Sequence, residues 1–167
     1  MRLYLVRHAD AFEPSAERWP DDALRPLTAE GMRAFRKAAT GIARAAGKVD
    51  SVLTSPFVRA RQTAEILADE AGWPSAVEAV ELGPEEPAER VLAAIRRSEA
   101  ERLAVVGHEP SLKALLSLCL SGRTAGIECR LEKGAAACLK FSAAVRGGAA
   151  RLDWLIRPGT LADLGKR

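Results

Sequence analysis

Histidine is scarce in this chain: two occur in 167 residues, beside a single tyrosine, two methionines and an aromatic content of 5%. Cysteine is nearly as rare. Cys119, Cys129 and Cys138 are odd in number and show no CxxC spacing, which excludes a disulfide framework and a zinc ribbon and points to buried thiols in a reducing compartment. No run of five or six like charges occurs, and 25 basic against 22 acidic residues leave a net charge of only +3, so no nucleic-acid partner is expected. No apolar stretch approaches the ~18 residues of a membrane span, and the apolar run after Arg2 is too short for a signal-peptide core. The expectation is a soluble, cytoplasmic protein with no membrane partner. Neither a repeat nor a linker interrupts it, so residues 1–167 read as one domain, long enough to bury roughly two thirds of its unfolded surface. Its oligomeric state stays open, a monomer being compatible.

What is present is concentrated at the histidines. Leu3 to Val6 leads into Arg7-His8, and Leu103 to Val106 leads into Gly107-His108. Short apolar runs that end at once in polar, reactive residues read as buried parallel strands, and open α/β sheets bind ligands at the carboxyl ends of such strands. A third run, Val52-Leu53-Thr54, ends in Ser55-Pro56 and opens a helix bearing Arg59. One rim would then hold two imidazoles and two guanidiniums, a set suited to phosphate.

The remaining chain alternates in the same way. Asp10 to Pro26, marked by Pro14, Pro20 and Pro26, has neither helical nor strand period and reads as a loop beside the rim, with Trp19 anchoring it to the body or else touching a partner protein. Thr28 caps a helix with Met32, Phe35, Ala39, Ile42 and Ala46 inward, closed by Gly47. Ser55 and Pro56 read as cap and first turn of a second helix closed by Gly72. A strand near Ala76 to Val80, a helix from Pro87, a strand at 103–106 and a helix from Pro110 to about Gly122 follow. Strands around Ala135 to Phe141 and Ala150 to Ile156 flank an Arg146-Gly147-Gly148 turn, and the tail from Arg157 packs loosely or as a short helix. The order predicts a three-layer α/β/α sandwich with a mostly parallel central sheet, right-handed crossovers and a late antiparallel hairpin.

A histidine attacks phosphorus through one ring nitrogen when a backbone carbonyl holds the other, while flanking cations stabilise the non-bridging oxygens. Leu5-Val6-Arg7-His8-Ala9-Asp10, Arg25-Pro26-Leu27-Thr28 with Gly31, Ser55-Pro56-Phe57-Val58-Arg59-Ala60 with Gln62-Thr63-Ala64, and Gly107-His108 occur in that order. Together these motifs resemble the histidine phosphatase superfamily, and within it the small SixA-type phosphohistidine phosphatase branch. The resemblance implies a phosphoglycerate mutase-like fold, His8 as the transiently phosphorylated nucleophile, and Arg7, Arg59 and His108 as the phosphate pocket. It implies no metal and no organic cofactor. Ala9 stands where the wider superfamily has glycine, a feature shared with small SixA-like members.

The proton donor is the open point. Larger superfamily members carry a glutamate after the second arginine, whose nearest counterpart by order is Glu81, with Glu85 and Glu86 as neighbours. An alkoxide leaving group needs such an acid, worth about 10²- to 10⁴-fold, whereas imidazole needs less help. Only 48 residues separate Arg59 from His108, leaving no space for a large cap insertion over the pocket. Both points favour a phosphohistidine-bearing protein as substrate. The alternatives are a small phosphorylated substrate such as a sugar phosphate or nucleotide, hydrolysed by a phosphomonoesterase, and a non-catalytic phosphate- or phosphoprotein-binding module. By helical position Arg59 alone would be a solvated side chain, as would Arg61, while Asp10 has a loop, capping or electrostatic role and Glu109 contributes through its backbone N–H.

Overall fold

The alternating apolar runs and periodic segments form six strands and five helices in a computed structural model that describes residues 1–166. The strands are β1 (Arg2–Arg7), β2 (Ser51–Thr54), β3 (Val77–Glu78), β4 (Arg102–Gly107), β5 (Ala136–Phe141) and β6 (Ala150–Ile156). The helices are α1 (Ala29–Ala46), α2 (Val58–Ala71), α3 (Ala88–Arg97), α4 (Ser111–Ser121) and α5 (Pro158–Gly165), with short 3-10 turns at Asp22–Leu24 and Val80–Leu82. One sheet runs in the order β3-β2-β4-β1-β5-β6. Pairings from β3 to β1 are parallel, and the two that add β5 and β6 are antiparallel.

Successive side chains of the central strands enter opposite layers. Tyr4, Val6, Ala104 and Val106 pack with α1, α2 and Leu161 of α5, while Leu3, Leu5, Leu103 and Val105 pack with α3 and α4. Both faces are covered, which is why these strands read as unbroken apolar runs rather than as alternating ones. The result is the three-layer α/β/α sandwich that the element order predicts.

Local chemistry sets most of the boundaries. Thr28 Oγ1 accepts from the Gly31 N–H at 2.9 Å and starts α1, and Gly47 ends it at φ 69°. The tail is a helix and it packs tightly. Leu161 is fully buried, and a Cβ built on Gly41 of α1 would lie 1.9 Å from the Leu161 carbonyl oxygen. Only glycine at position 41 lets the α5 backbone sit against α1.

Two expectations are corrected. Ser55 does not cap α2: the cap position belongs to Phe57, which makes no side-chain cap hydrogen bond. The Ser55 hydroxyl instead accepts from the Phe57 N–H at 3.3 Å and lies 2.8 Å from His108 Nε2, because a fully buried imidazole needs a polar partner more than a partly open helix end does. The strand expected at 76–80 shrinks to Val77–Glu78, a two-residue edge with both side chains exposed and nothing to bury along it.

Gly41→Ala is expected to lower unfolding free energy by about 1–3 kcal/mol by forcing α5 off α1. Urea denaturation checks this, and an unchanged midpoint would show that α5 adds little to stability.

Candidate active site

The sheet order brings three strand ends to one rim. β4 lies between β2 and β1, and the ladder continues one residue beyond each strand, with the Ser55 N–H donating to Val106 O and the His8 N–H to Gly107 O, both at 3.0 Å. His108 therefore emerges between Ser55 and His8. The two imidazoles meet with ring centroids 5.0 Å apart, and Phe57 closes over His108 edge-on at 5.1 Å.

Each ring is oriented through one nitrogen. His8 Nδ1 lies 2.7 Å from the Ala9 carbonyl, which can only accept, so Nδ1 carries the hydrogen and Nε2 keeps its lone pair. The Ser55 hydroxyl is free to donate to His108 Nε2, which leaves Nδ1 of that ring as an N–H donor. Burial lowers His8 to a pKa of about 4, with nearby Arg59, Arg7 and Lys133 pushing the same way against the Ala9 hydrogen bond. Burial lowers His108 further, to about 2, helped by His8 and Arg59. Both rings are neutral at pH 7, and a bound anion acts in the opposite direction on each.

The arginines complete an electropositive floor. Arg7 ends β1, is partly buried, and donates Nη1–H to Leu131 O at 2.7 Å. Arg59, only 3% exposed, is no solvated side chain: it donates Nη1–H to Asp22 O at 2.9 Å, pairs through Nη2 with Asp22 Oδ2 at 3.0 Å, and lies over the Phe57 ring. Desolvation lowers both guanidinium pKa values, yet arginine stays charged. Arg61 is exposed and paired with Glu78. A tie between helix and rim runs through Thr63, which accepts from the Ala9 N–H at 3.0 Å and donates to Arg59 O at 2.7 Å.

Five buried side-chain polar atoms lack a hydrogen-bond partner among the described residues: Arg7 Nε, Arg59 Nε, His108 Nδ1, Glu109 Oε1 and Trp19 Nε1. The first three are donors at this rim. Leaving a buried donor unpaired costs about 1–3 kcal/mol, so three together mark a place where an acceptor-rich anion completes the structure. No group of three or more His, Cys, Asp or Glu able to hold a metal ion occurs among the described residues.

Comparison with known proteins gives the family. A profile of the histidine phosphatase superfamily (branch 1) matches residues 3–82. The chain is 32% identical over 128 residues to phosphohistidine phosphatase SixA of Escherichia coli, covering 74% of this chain and 77% of the relative. It belongs to the histidine phosphatase superfamily. Similarity places it in the SixA-type branch and makes it a phosphatase. An uncharacterized protein of Picosynechococcus is 34% identical over 92% of this chain and 89% of its own length. The solved structure of the protein histidine phosphatase SixA complexed with tungstate superposes at a TM-score of 0.81 with 28% identity, over 96% of this chain and 99% of that one. The sandwich is accordingly phosphoglycerate mutase-like.

Not every expected residue of this SixA-type phosphatase reaches the rim. The Glu81 carboxylate is paired with Arg97 at the end of α3, and its own backbone N–H and that guanidinium hold its pKa below the usual carboxylate range. Bound and ionised there, it is not placed to deliver a proton beside the histidines. Glu86 pairs with Arg90, and Glu85 is exposed. Asp10 is a loop residue paired with Lys133.

Sequence reasoning missed Asp22 and gave Arg25, present in a motif, no role of its own. Asp22 bridges Arg59 and Arg25, whose Nε lies 2.7 Å from Asp22 Oδ1, while Arg25 Nη1 donates to Phe12 O at 2.6 Å. Arg25 first, then desolvation opposed by Arg59, sets the balance that keeps the Asp22 carboxyl below its ordinary pKa. The available signal was an acid three residues before the arginine of the Arg25-Pro26-Leu27-Thr28 motif.

The neutral histidine pair fixes a pH dependence. Below pH 6.5 the unfolded chain protonates both imidazoles while the folded rings stay neutral to about 4 and about 2, so stability is lost as pH falls. The expected slope is about 1.4 kcal/mol per pH unit for each ring. Urea midpoints of wild type and His108→Gln at about pH 7 and about pH 5 measure it. The variant should lose roughly half of the two-histidine slope; equal slopes would mean His108 protonates in the fold as easily as in water.

Proposed function

We propose that this phosphatase removes phosphate from a phosphorylated histidine of a protein, with His8 as nucleophile and Arg7, Arg59 and His108 as the phosphate pocket. The observation that carries the reading is the state of His8: neutral, with Nδ1–H held by the Ala9 carbonyl and the Nε2 lone pair free beside three unpaired donors. Likeness to the Escherichia coli phosphohistidine phosphatase supports the substrate class.

The chemistry proceeds in two displacements. His8 Nε2 forms a bond to phosphorus as the bond from phosphorus to the substrate imidazole breaks, and that ring leaves neutral when its distal nitrogen already carries a proton. Arg7, Arg59 and the His108 Nδ1–H hold the non-bridging oxygens as charge shifts. Water then attacks the phosphoryl group on His8, releasing inorganic phosphate and the free ring. Exchanging one P–N bond for another asks little of a general acid, in keeping with the position of Glu81 on Arg97.

One observation favours small phosphomonoesters instead. Glu109 follows His108 on the rim, interacts with Arg7, and has a buried unpaired Oε1, and burial raises its carboxyl pKa. A proton held there would serve an alkoxide leaving group.

Hydrolysis of a histidine-phosphorylated carrier protein and of an alkyl phosphate, measured side by side, separates the readings. His8→Ala is expected to lose at least about 10³-fold in kcat on the protein, and Arg59→Ala about 10²- to 10³-fold in kcat/KM. Retained turnover in His8→Ala would remove the nucleophile assignment. Efficient alkyl phosphate hydrolysis that drops about 10²-fold or more in Glu109→Gln, with slow action on the protein, would establish the phosphomonoesterase.

A further inference from the structure

Beside the histidine rim lies a second concavity that phosphoryl transfer does not use. It is a cleft of about 360 Å³ between the first turns of α1 and α5 and the segment that leads into β5. Ala9, Ala34, Phe35, Gly134, Pro158 and Ala162 form its walls, so most of the surface it offers is carbon. Three charged side chains stand around it: Lys37, Lys133 and Asp10, the last two paired at 2.7 Å.

The cleft shares its backbone with the nucleophile. Ala9, which forms one wall, is the residue whose carbonyl holds His8 Nδ1. Gly134, at φ 78°, donates its N–H to the carbonyls of both Arg7 and His8, and a Cβ on it would lie 3.2 Å from Phe35 Cδ2 and 3.6 Å from Pro158 Cβ. A side chain at 134 would therefore fill the floor, and its absence keeps the cleft open. Lys133 at the edge is near enough to bear on the His8 charge. The opening therefore begins one residue along the backbone from His8.

We infer that the cleft is a docking subsite for an apolar side chain of the substrate polypeptide, lying near the phosphohistidine in the folded substrate and accompanied by a carboxylate. This inference rests on the protein-substrate reading above. The apolar walls select the side chain by removing it from water, and two lysines against one aspartate favour an acidic neighbour. A small phosphate ester filling the rim has no group to place there. Binding energy from such a remote contact is a means of holding a large substrate whose reacting group is only one imidazole.

Gly159 provides the test. It lies in the first turn of α5, is exposed, lines the cleft, and a Cβ on it meets nothing within 4 Å. Gly159→Leu adds an isobutyl group to the lining of the cleft while improving helix propensity, and Gly159→Ala is the control that adds only a methyl there. The expected result for Gly159→Leu is a rise of about tenfold in KM for a histidine-phosphorylated carrier protein, the scale of one apolar side chain's burial. Its kcat on that protein and its kinetics on an aryl phosphate should stay within about twofold of wild type, as should all parameters of Gly159→Ala. Equal KM values for wild type and Gly159→Leu would overturn the subsite alone. A matching loss on the aryl phosphate would overturn it too, by showing that the change reaches His8. Wild-type enzyme that turns over the aryl phosphate but not the phosphoprotein would overturn the substrate reading and the subsite with it.

Discussion

The site depends on one constraint, the parallel pairing of β4 between β2 and β1, continued past the strand ends by the hydrogen bonds from Ser55 to Val106 and from His8 to Gly107. A register slip by one residue would turn every side chain on that strand to the opposite layer. With Leu3, Leu5, Leu103 and Val105 in one core and Tyr4, Val6, Ala104 and Val106 in the other, slippage is prohibited by packing. The precision of a 5.0 Å approach between two imidazoles is thus set by leucines and valines buried in the two cores.

Burial then sets the chemistry. In water two histidines and two arginines would be ordinary polar groups, but here His8, His108 and Arg59 are each at most 6% exposed. Low dielectric holds both rings neutral while the guanidiniums stay charged, so a free imidazole lone pair and a positive field coexist in one place. Asp22 answers part of that positive charge from a loop, and the Thr63 hydroxyl ties the Ala9 backbone beside His8 to the helix that carries Arg59. Three donors are still left unpaired, a cost that an acceptor-rich anion would relieve.

Much of this was legible in one dimension. The 3.6-residue period, the Thr28 cap and the Gly47 stop define α1 by local rules, and the runs before His8 and His108 are too apolar and too short for anything but buried strands. Less legible was whatever depends on contacts distant in sequence. Arg59 lies off its helix's apolar stripe and by that position alone reads as solvated, yet the loop bearing Asp22 folds over it. Ser55 reads as a cap by its neighbours and is redirected by a histidine 53 positions away. Glu81 occupies the right place in the order, but its side chain is taken by Arg97.

By itself the sequence determined the element order, the layer architecture, the family and the side chains that meet at the rim, because periodicity, caps and ordered motifs are local properties that survive whatever the rest of the chain does. Only the tertiary structure decided the protonation of the two histidines, the Asp22 clamp on Arg59, the diversion of Glu81 and the apolar cleft beside Ala9. Each of these is a matter of distance and solvent exclusion between residues far apart in the chain, and neither quantity exists until the sheet has closed its register and the helices have covered it.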